Sequence, residues 1–198
     1  MQNTLTLYTN PQSRGRIAMW MMEEVGQPFN AVVVEYGAPM RTPEFLALNP
    51  MGKVPVLTHG NAVVTETAAI CAYMAETFPE AGLAPRPGER ADYYRWLFFA
   101  AGPLETAVSA RAMGLEAPTE QRGRVGYGNY ETTIAALEAK FSASDYVAGG
   151  RFTAADVYVG SHLIWGLMFK TIPSSPAFRD YRERLMARPA YRRANGMA

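Results

Sequence analysis

The sequence predicts an α/β domain of order β-α-β-α-β-β-α followed by an all-α domain. Three observations lead to this prediction. Strand-like and helix-like apolar patterns alternate over residues 1–80, a segment rich in proline and glycine occupies 81–88, and only helical spacing follows over 89–198. We therefore expect two domains, at 1–80 and 89–198, joined by a linker at 81–88.

The first 35 residues predict a β-α-β unit. Leu5 and Leu7 alternate with polar residues, which indicates a strand. The apolar residues that follow keep helical spacing until Gly26, which favours a helix end: Ile17, Trp20, Met21 and Val25. Residues 29–35 contain three consecutive valines and indicate a second strand. Because a helix joins the two strands, we expect them to lie parallel.

The next segment predicts a β-hairpin between two helices. A short helix near 43–47 precedes two apolar segments, 54–57 and 62–64. These segments flank a Gly-Asn pair, which supplies the backbone freedom that a hairpin turn needs. A helical apolar stripe then begins at about Glu66 and completes the α/β domain.

The second half contains helix signals only. Apolar stripes indicate helices around 94–104 and 130–141. Thr153 and Asp156 form a variant of the capping box, which predicts a helix start. Two further helices are expected to have proline at their first position, at Pro176 and Pro189.

The composition is that of a globular protein with few groups for metal or disulfide chemistry. Nineteen basic and 18 acidic residues give a net charge of +1, which does not favour nucleic acid or an anionic membrane as a partner. The single cysteine, Cys71, excludes an internal disulfide and Cys-rich metal sites. Two histidines are too few for most His-based metal sites. We expect no secretory signal, because the first residues lack a basic segment that leads into an apolar run. No segment approaches the ~18 consecutive apolar residues of a membrane span. We expect a cytoplasmic protein without a metal.

Val54-Pro55 is the first candidate for a binding segment. A proline at the start of a strand removes one ladder donor. With a cis bond, Val54 would turn its backbone N–H and C=O outward, where an extended peptide pairs like an added strand. The alternative is a trans proline on an edge strand, and only ~5–6% of X-Pro bonds are cis.

Thr65-Glu66-Thr67 is the second candidate, at a predicted strand-to-helix junction. The free N–H groups of a helix start hold a carboxylate, and the Thr67 hydroxyl would add a donor. Glu66 would take an ammonium group, so the pair suits the head of an amino acid. The alternative is structural, with Thr65 capping the helix and Glu66 favouring its first turn.

Ser13 is the third candidate, just before the first predicted helix and next to Arg14 and Arg16. A hydroxyl in this setting donates a hydrogen bond to a thiolate. The alternative is a turn serine that caps the helix.

In combination these segments resemble the cytosolic glutathione transferases, over nearly the whole chain. Residues 49–57, NPMGKVPVL, resemble the family's "NPxGxVPxL" stretch, and residues 65–70, TETAAI, resemble its "(T/L)ES.AI" stretch. Residues 152–156, FTAAD, resemble its capping box and staple. The resemblance implies a thioredoxin-like N-terminal domain that binds glutathione as co-substrate, without a metal.

The resemblance also implies residue roles. In the family the proline corresponding to Pro55 is cis, which would let Val54 pair with the cysteinyl backbone of glutathione. Glu66 and Thr67 would hold the γ-glutamyl group.

The residue that activates the thiol would lie in the loop after the first strand. Ser13, two residues after a proline, matches the serine-type members of the family. Tyr8, Thr9 and Asn10 remain alternatives.

The implied reaction is attack by the glutathione thiolate on an electrophile. Lowering a thiol pKa of ~8.5 by two units requires about 2.7 kcal/mol of preferential thiolate stabilisation. One hydrogen bond from Ser13 to the charged sulfur supplies ~1.5–3 kcal/mol, and the helix N-terminus with Arg14 or Arg16 adds to it. Lys53 or Arg41 is a candidate for the glycyl carboxylate.

The helical domain is expected to contribute the electrophile pocket. Tyr93, Met113 and Trp165 are candidates, with core packing as the alternative for each. Cys71 lies among predicted buried positions, so we interpret it as a packed small residue rather than a nucleophile.

The predicted function is conjugation of glutathione to hydrophobic electrophiles by a homodimeric enzyme. One alternative is a glutathione-dependent reductase or ether-cleaving enzyme, for which the family favours a cysteine in the first loop that this chain lacks. The other alternative is a non-catalytic module of the same fold that binds glutathione or another protein.

Overall fold

The computed structural model describes residues 4–197 and divides them into two compact units. One unit contains the described residues up to Ala84 together with those from Arg188 onward, and the other is Pro85–Ala187. The division between the units therefore lies close to the expected linker. The residues from Arg188 differ from the expectation, because they group with the α/β unit instead of with the helices that precede them.

The α/β unit contains one four-stranded sheet. Its strands are β1 (Leu5–Thr9), β2 (Phe29–Val33), β3 (Val56–His59) and β4 (Ala62–Val64), in the order β2-β1-β3-β4. β1 and β2 are parallel, whereas β1 pairs with β3, and β3 with β4, in antiparallel fashion. The predicted β-α-β unit and hairpin are both confirmed.

The described residues of this unit form four α-helices: α1 (Gly15–Val25), α2 (Pro43–Leu48), α3 (Thr67–Thr77) and, from the C-terminal segment, α9 (Pro189–Ala194). A 3-10 turn, Ala38–Arg41, precedes α2. The thioredoxin-like order predicted from the sequence is thus present.

α9 joins this unit through contacts with α1. The rings of Trp20 and Tyr191 meet edge to face, with centroids 4.9 Å apart. Arg188 donates two hydrogen bonds to the Glu24 carboxylate, at 2.7 and 2.8 Å. A bidentate pair of this kind fixes orientation as well as proximity. These contacts explain why the C-terminal segment groups with the α/β unit.

The second unit is helical throughout its regular structure. Its helices are α4 (Arg90–Phe99), α5 (Glu105–Met113), α6 (Tyr130–Ala143), α7 (Ala154–Met168) and α8 (Pro176–Met186). The long helix expected around 94–104 continues from α4 into α5 through a π-helical segment, Ala100–Leu104. Pro103 lies inside that segment, and its missing N–H accounts for the widened turn.

The predicted capping box at the start of α7 is confirmed. The Asp156 Oδ2 accepts hydrogen bonds from the Thr153 N–H (2.8 Å) and hydroxyl (3.0 Å). Its Oδ1 accepts from the Val147 N–H (2.7 Å) and the Tyr181 hydroxyl (2.8 Å). Burial raises the pKa of Asp156 to about 6, and the four donors oppose that rise.

Within residues 4–197, no helix combines the length and the apolar character needed to cross a membrane.

Candidate functional site

Two cavities in the α/β unit contain the site residues predicted for this unit. The first, of about 330 Å³, is lined by residues that include Ser13, Arg14, Arg41, Lys53 and Val54. The second, of about 180 Å³, shares three of these residues, and its wall also includes Pro55, Glu66 and Thr67. Since Arg14, Lys53 and Val54 line both, the two cavities adjoin.

Ser13 lies between β1 and α1, and its hydroxyl already has hydrogen-bond partners. The Ser13 Oγ donates to the Asn10 carbonyl at 2.7 Å and accepts from the Gly15 N–H at 2.9 Å. A hydroxyl has one proton to donate. The proton is therefore directed at the backbone in this structure, and a thiolate would have to compete for it.

The three alternatives to Ser13 occupy structural positions. Asn10 is buried, and its amide donates to the Val34 carbonyl (3.0 Å) and accepts from the Gln12 N–H (2.9 Å). Tyr8 packs with Phe45, at 6.2 Å between ring centroids. Thr9 is 5% exposed. Among the first-loop candidates, Ser13 is the one that lines the adjoining cavities.

Gly15 allows the loop to fold closely around Ser13. A Cβ at this position would lie 2.1 Å from the Thr9 Oγ1 and 2.9 Å from the Ser13 Oγ. Both distances are too short for a real side chain. The absence of a side chain at position 15 therefore brings the Thr9 and Ser13 hydroxyls close together at the start of α1.

A turn held by Asn49 positions the segment before β3. Asn49 is 5% exposed, and its Nδ2 donates to the Lys53 carbonyl at 2.8 Å while its Oδ1 accepts from the Met51 N–H at 3.0 Å. The peptide bond between Val54 and Pro55 is cis, as the sequence resemblance implied. Val54, beside both cavities, therefore follows a turn that a buried side chain holds in place.

The start of α3 has no side-chain cap. The first backbone bond of the helix runs from the Ile70 N–H to the Glu66 carbonyl at 2.9 Å, so the N–H groups before it face out of the helix end. Glu66 is exposed, does not cap the helix, and has a φ of 63° and a ψ of 116°. A non-glycine residue rarely adopts positive φ. The helix begins one residue later than expected, with Glu66 in the position predicted for Thr65.

Cationic side chains surround the first cavity. Arg14, Arg41 and Lys53 line it, and no acidic residue is among the described residues of its wall. Gly52 makes room there, because a Cβ on it would lie 2.8 Å from the Arg41 Nη1. The site thus has a basic cavity on one side of Val54 and an uncapped helix start on the other. That arrangement suits a ligand with carboxylates and an extended backbone between them.

Sequence comparison identifies the family to which this arrangement belongs. Residues 14–77 match the family described as "Glutathione S-transferase, N-terminal domain", and residues 130–189 match "Glutathione S-transferase, C-terminal domain". The chain belongs to the glutathione S-transferase family.

Individual relatives extend the likeness over most of the chain. Glutathione S-transferase GST-4.5 of Xanthomonas campestris pv. campestris is 28% identical over 168 residues, covering 81% of this chain and 82% of the relative. FtsZ-localized protein A of Caulobacter vibrioides is 29% identical over 181 residues, covering 83% and 78%. A theta class glutathione S-transferase of Xanthomonas axonopodis pv. citri, solved with glutathione bound, superimposes with a TM-score of 0.78 at 28% identity, covering 98% of this chain and 97% of that one.

The residues predicted for the electrophile pocket occupy different environments on three helices of the second unit. Tyr93 on α4 is fully buried, Trp165 on α7 is half-buried, and Met113 at the end of α5 is 64% exposed. Their assignment to one pocket stays a prediction. Cys71 is fully buried on α3, and burial raises the pKa of its thiol, which confirms its interpretation as a packed residue.

Sequence reasoning missed three residues of the site. Gln12 and Tyr36 line the first cavity, and the Tyr36 hydroxyl donates to the Gln12 carbonyl at 3.2 Å. Asn49 belongs to a stretch that resembles the family, and Asn before Pro-x-Gly is in addition a turn signal that points to its role.

Proposed function

We propose that the protein is a glutathione S-transferase that conjugates the thiolate of glutathione to hydrophobic electrophiles, as a homodimer in the cytoplasm. The observation that supports this most is the convergence of six residues on the two adjoining cavities: Ser13, Lys53, Val54, Pro55, Glu66 and Thr67. They come from three separate segments of the sequence. The glutathione bound in the Xanthomonas axonopodis relative supports the same ligand.

Glutathione would bind with its γ-glutamyl end at the start of α3. Its α-carboxylate accepts hydrogen bonds from the exposed N–H groups and the Thr67 hydroxyl, and Glu66 takes the ammonium group. Val54 pairs with the cysteinyl backbone. The glycyl carboxylate meets Lys53 or Arg41 in the first cavity.

The thiolate would be stabilised when the Ser13 hydroxyl turns its proton from the Asn10 carbonyl to the sulfur. The oxygen keeps the hydrogen bond that it accepts from the Gly15 N–H, which holds it in place during the change. A donor bond to a charged acceptor is stronger than one to a neutral carbonyl. Thiolate formation therefore drives the exchange.

Calorimetric titration with glutathione and turnover of Ser13→Ala test the proposal together. We expect glutathione binding to the intact protein, and about a 100-fold loss of turnover with 1-chloro-2,4-dinitrobenzene in Ser13→Ala, with little change in glutathione affinity. Ser175→Ala, which removes a helix cap from α8 in the other unit, serves as the matched control. Absence of binding at millimolar glutathione overturns the proposal.

A non-catalytic binding module is the second candidate. It is favoured by the hydrogen bond that commits the Ser13 proton to the Asn10 carbonyl, and by the likeness to FtsZ-localized protein A. Glutathione binding without turnover of any electrophile, in the wild type and in Ser13→Ala alike, supports this candidate instead. A glutathione-dependent reductase or ether-cleaving enzyme is the weaker alternative, because the single cysteine of the sequence, Cys71, is fully buried and does not lie in the first loop.

The homodimer is tested separately by light scattering. Large apolar side chains on α4 are exposed in the single chain, among them Phe98 at 66% and Tyr94 at 37%. Contiguous exposed apolar side chains favour association. We expect a mass of two chains, and a shift towards one chain in Phe98→Glu.

A further inference from the structure

A third cavity lies in the α/β unit, on the loop that contains Ser13. It measures about 290 Å³, and its wall includes Thr9, Pro11, Arg16, Met19, Val33 and Asn195. These residues come from the end of β1, the loop after it, α1, β2 and the segment after α9. The segment from Thr9 to Arg16 therefore borders this cavity as well as the first cavity, where Ser13 and Arg14 line the wall.

Apolar side chains form most of the wall of the third cavity. Val33 is 58% exposed and belongs to β2, an edge strand of the sheet. Met19 on α1 and Ala194 on α9 add further apolar surface. An exposed apolar wall of this kind favours an apolar ligand, because its burial removes that surface from water.

Arg16 is the one charged residue among the described residues that line this cavity. Its guanidinium is half-buried and donates through Nη2 to the Oδ1 of Asn195. The Nδ2 of Asn195 donates in turn to the Tyr191 carbonyl at 2.8 Å, which fixes the direction of the amide. Asn195 is neutral, and Arg16 forms no ion pair with a described carboxylate. The charge of Arg16 is therefore held in place without being neutralised, in a cavity whose wall is mostly apolar.

Thr9 links the third cavity to Ser13, beside which the thiolate would form. Thr9 lines the cavity, and the Thr9 and Ser13 hydroxyls both lie within 3 Å of the point that a Cβ on Gly15 would occupy. The hydroxyls of Thr9 and Ser13 are thus neighbours across the start of α1. A ligand in the third cavity would extend from Arg16 past Thr9 and Pro11 towards the sulfur.

We propose that this cavity selects electrophiles that carry a carboxylate on an apolar body, with Arg16 as the residue that binds the carboxylate. The proposal rests on the transferase function proposed above. Guanidinium and carboxylate match in geometry, and a bidentate pair in a partly dry cavity orients the substrate. For a benzylic chloride, the thiolate sulfur forms a bond to the benzylic carbon while the C–Cl bond breaks and chloride leaves with the bonding electron pair.

Matched substrates test the selection through turnover. We expect kcat/KM for 4-(chloromethyl)benzoate to exceed that for 4-(chloromethyl)benzamide about 10- to 100-fold, since a hydrogen bond to a charged group contributes about 1.5–3 kcal/mol. Arg16→Gln should bring the ratio of kcat/KM for the acid to kcat/KM for the amide down to about 1. The ratio is the readout, because any effect of Arg16 on the thiolate lowers turnover of both substrates alike. Arg16→Lys should keep part of the preference for the acid, because the positive charge remains but the planar group that makes two parallel hydrogen bonds is lost. Arg90→Gln, an exposed arginine of the other unit, is the matched control.

Binding of the unreactive 4-methylbenzoate, followed by calorimetry, separates failure of this inference from failure of the transferase function. If no electrophile is turned over but 4-methylbenzoate binds and Arg16→Gln weakens it at least 10-fold, the cavity assignment stands and the transferase function fails. Asn195→Asp should weaken binding in the same direction, because an internal carboxylate then neutralises Arg16. The inference is overturned if the acid and the amide have equal kcat/KM, or if Arg16→Gln leaves the Kd of 4-methylbenzoate unchanged. It is also overturned if Arg16→Gln lowers only the thermal stability.

Discussion

The N-termini of α3 and α7 carry similar residues, but only α7 is capped by a side chain. Both combine threonine with an acidic residue, Glu66 and Thr67 at α3 and Thr153 and Asp156 at α7. At α7 the carboxylate is fully buried and accepts four hydrogen bonds from within the fold. At α3 the carboxylate is exposed, the helix has no side-chain cap, and the acidic residue has a φ of 63°.

The difference separates two roles of a helix N-terminus, which either stabilises the fold or binds a ligand. When the side chains satisfy the first-turn N–H groups, the helix end is complete and contributes to folding. When those groups face a cavity unsatisfied, they are available to an anionic ligand. α7 is of the first kind. We propose that α3 is of the second, so substitutions at the two starts should affect different properties.

The largest effect is expected for Asp156→Ala, in the free energy of unfolding. The substitution leaves buried donors of Thr153, Val147 and Tyr181 without their acceptor, so we expect a loss of about 3–5 kcal/mol in urea denaturation. The folded fraction should bind glutathione with unchanged Kd. Ser175→Ala at the α8 cap is the control and should cost about 1 kcal/mol. Equal losses in the two variants would contradict the importance given to the buried network.

The pH dependence of Asp156 gives the next largest effect. Its pKa is raised from 3.8 to about 6 in the folded protein, so the folded state binds more protons than the unfolded state between these values. The stability contributed by this group is therefore complete below pH ~4 and is lost as the pH rises through 6, by about 3 kcal/mol.

Urea denaturation of the wild type and Asp156→Asn at pH 4, 5, 6 and 7 measures this contribution. The carboxamide that replaces the carboxyl group in the variant does not titrate, so the stability advantage of the wild type should shrink as the pH rises. An advantage that grows with pH would mean that the four hydrogen bonds outweigh burial and lower the pKa of the carboxyl.

Gly15→Ala should have an intermediate effect at the start of α1. The added methyl group would lie 2.1 Å from the Thr9 Oγ1, and overpacking of this kind costs about 1–3 kcal/mol. We also expect lower turnover, since the Ser13 hydroxyl is displaced. The double variant Thr9→Ala with Gly15→Ala removes the closest contact and should recover stability. Failure of that rescue would place the cause elsewhere than in the contact with Thr9.

The smallest effect is expected for Glu66→Gln, and it should appear in binding alone. Loss of one charged interaction with the glutathione ammonium group should raise the Kd about 10-fold in calorimetry, which corresponds to about 1.4 kcal/mol. The free energy of unfolding should not change, because the side chain does not cap α3. Glu44→Gln, in the first turn of the capped helix α2, is the matched control. If Glu66→Gln lowers the free energy of unfolding and leaves the Kd for glutathione unchanged, then Glu66 stabilises its helix, as Asp156 does at α7, and does not bind glutathione.

The sequence by itself determined the order of strands and helices and the family. Apolar periodicity gave β1 to β4 in their correct order, and the short-range signals at Gly26 and Thr153 marked a helix end and a helix start. These signals depend on residues close together in the chain, such as a capping side chain three positions from its partner. Local interactions of this kind can be recognised without knowledge of the fold.

Tertiary structure alone decided the features that join distant segments. The grouping of α9 with the α/β unit depends on contacts such as Arg188 with Glu24, which are 164 positions apart. Asn195 holds Arg16 across 179 positions in the same way. No pattern in the sequence specifies which distant side chains meet, because packing of the whole unit sets those distances.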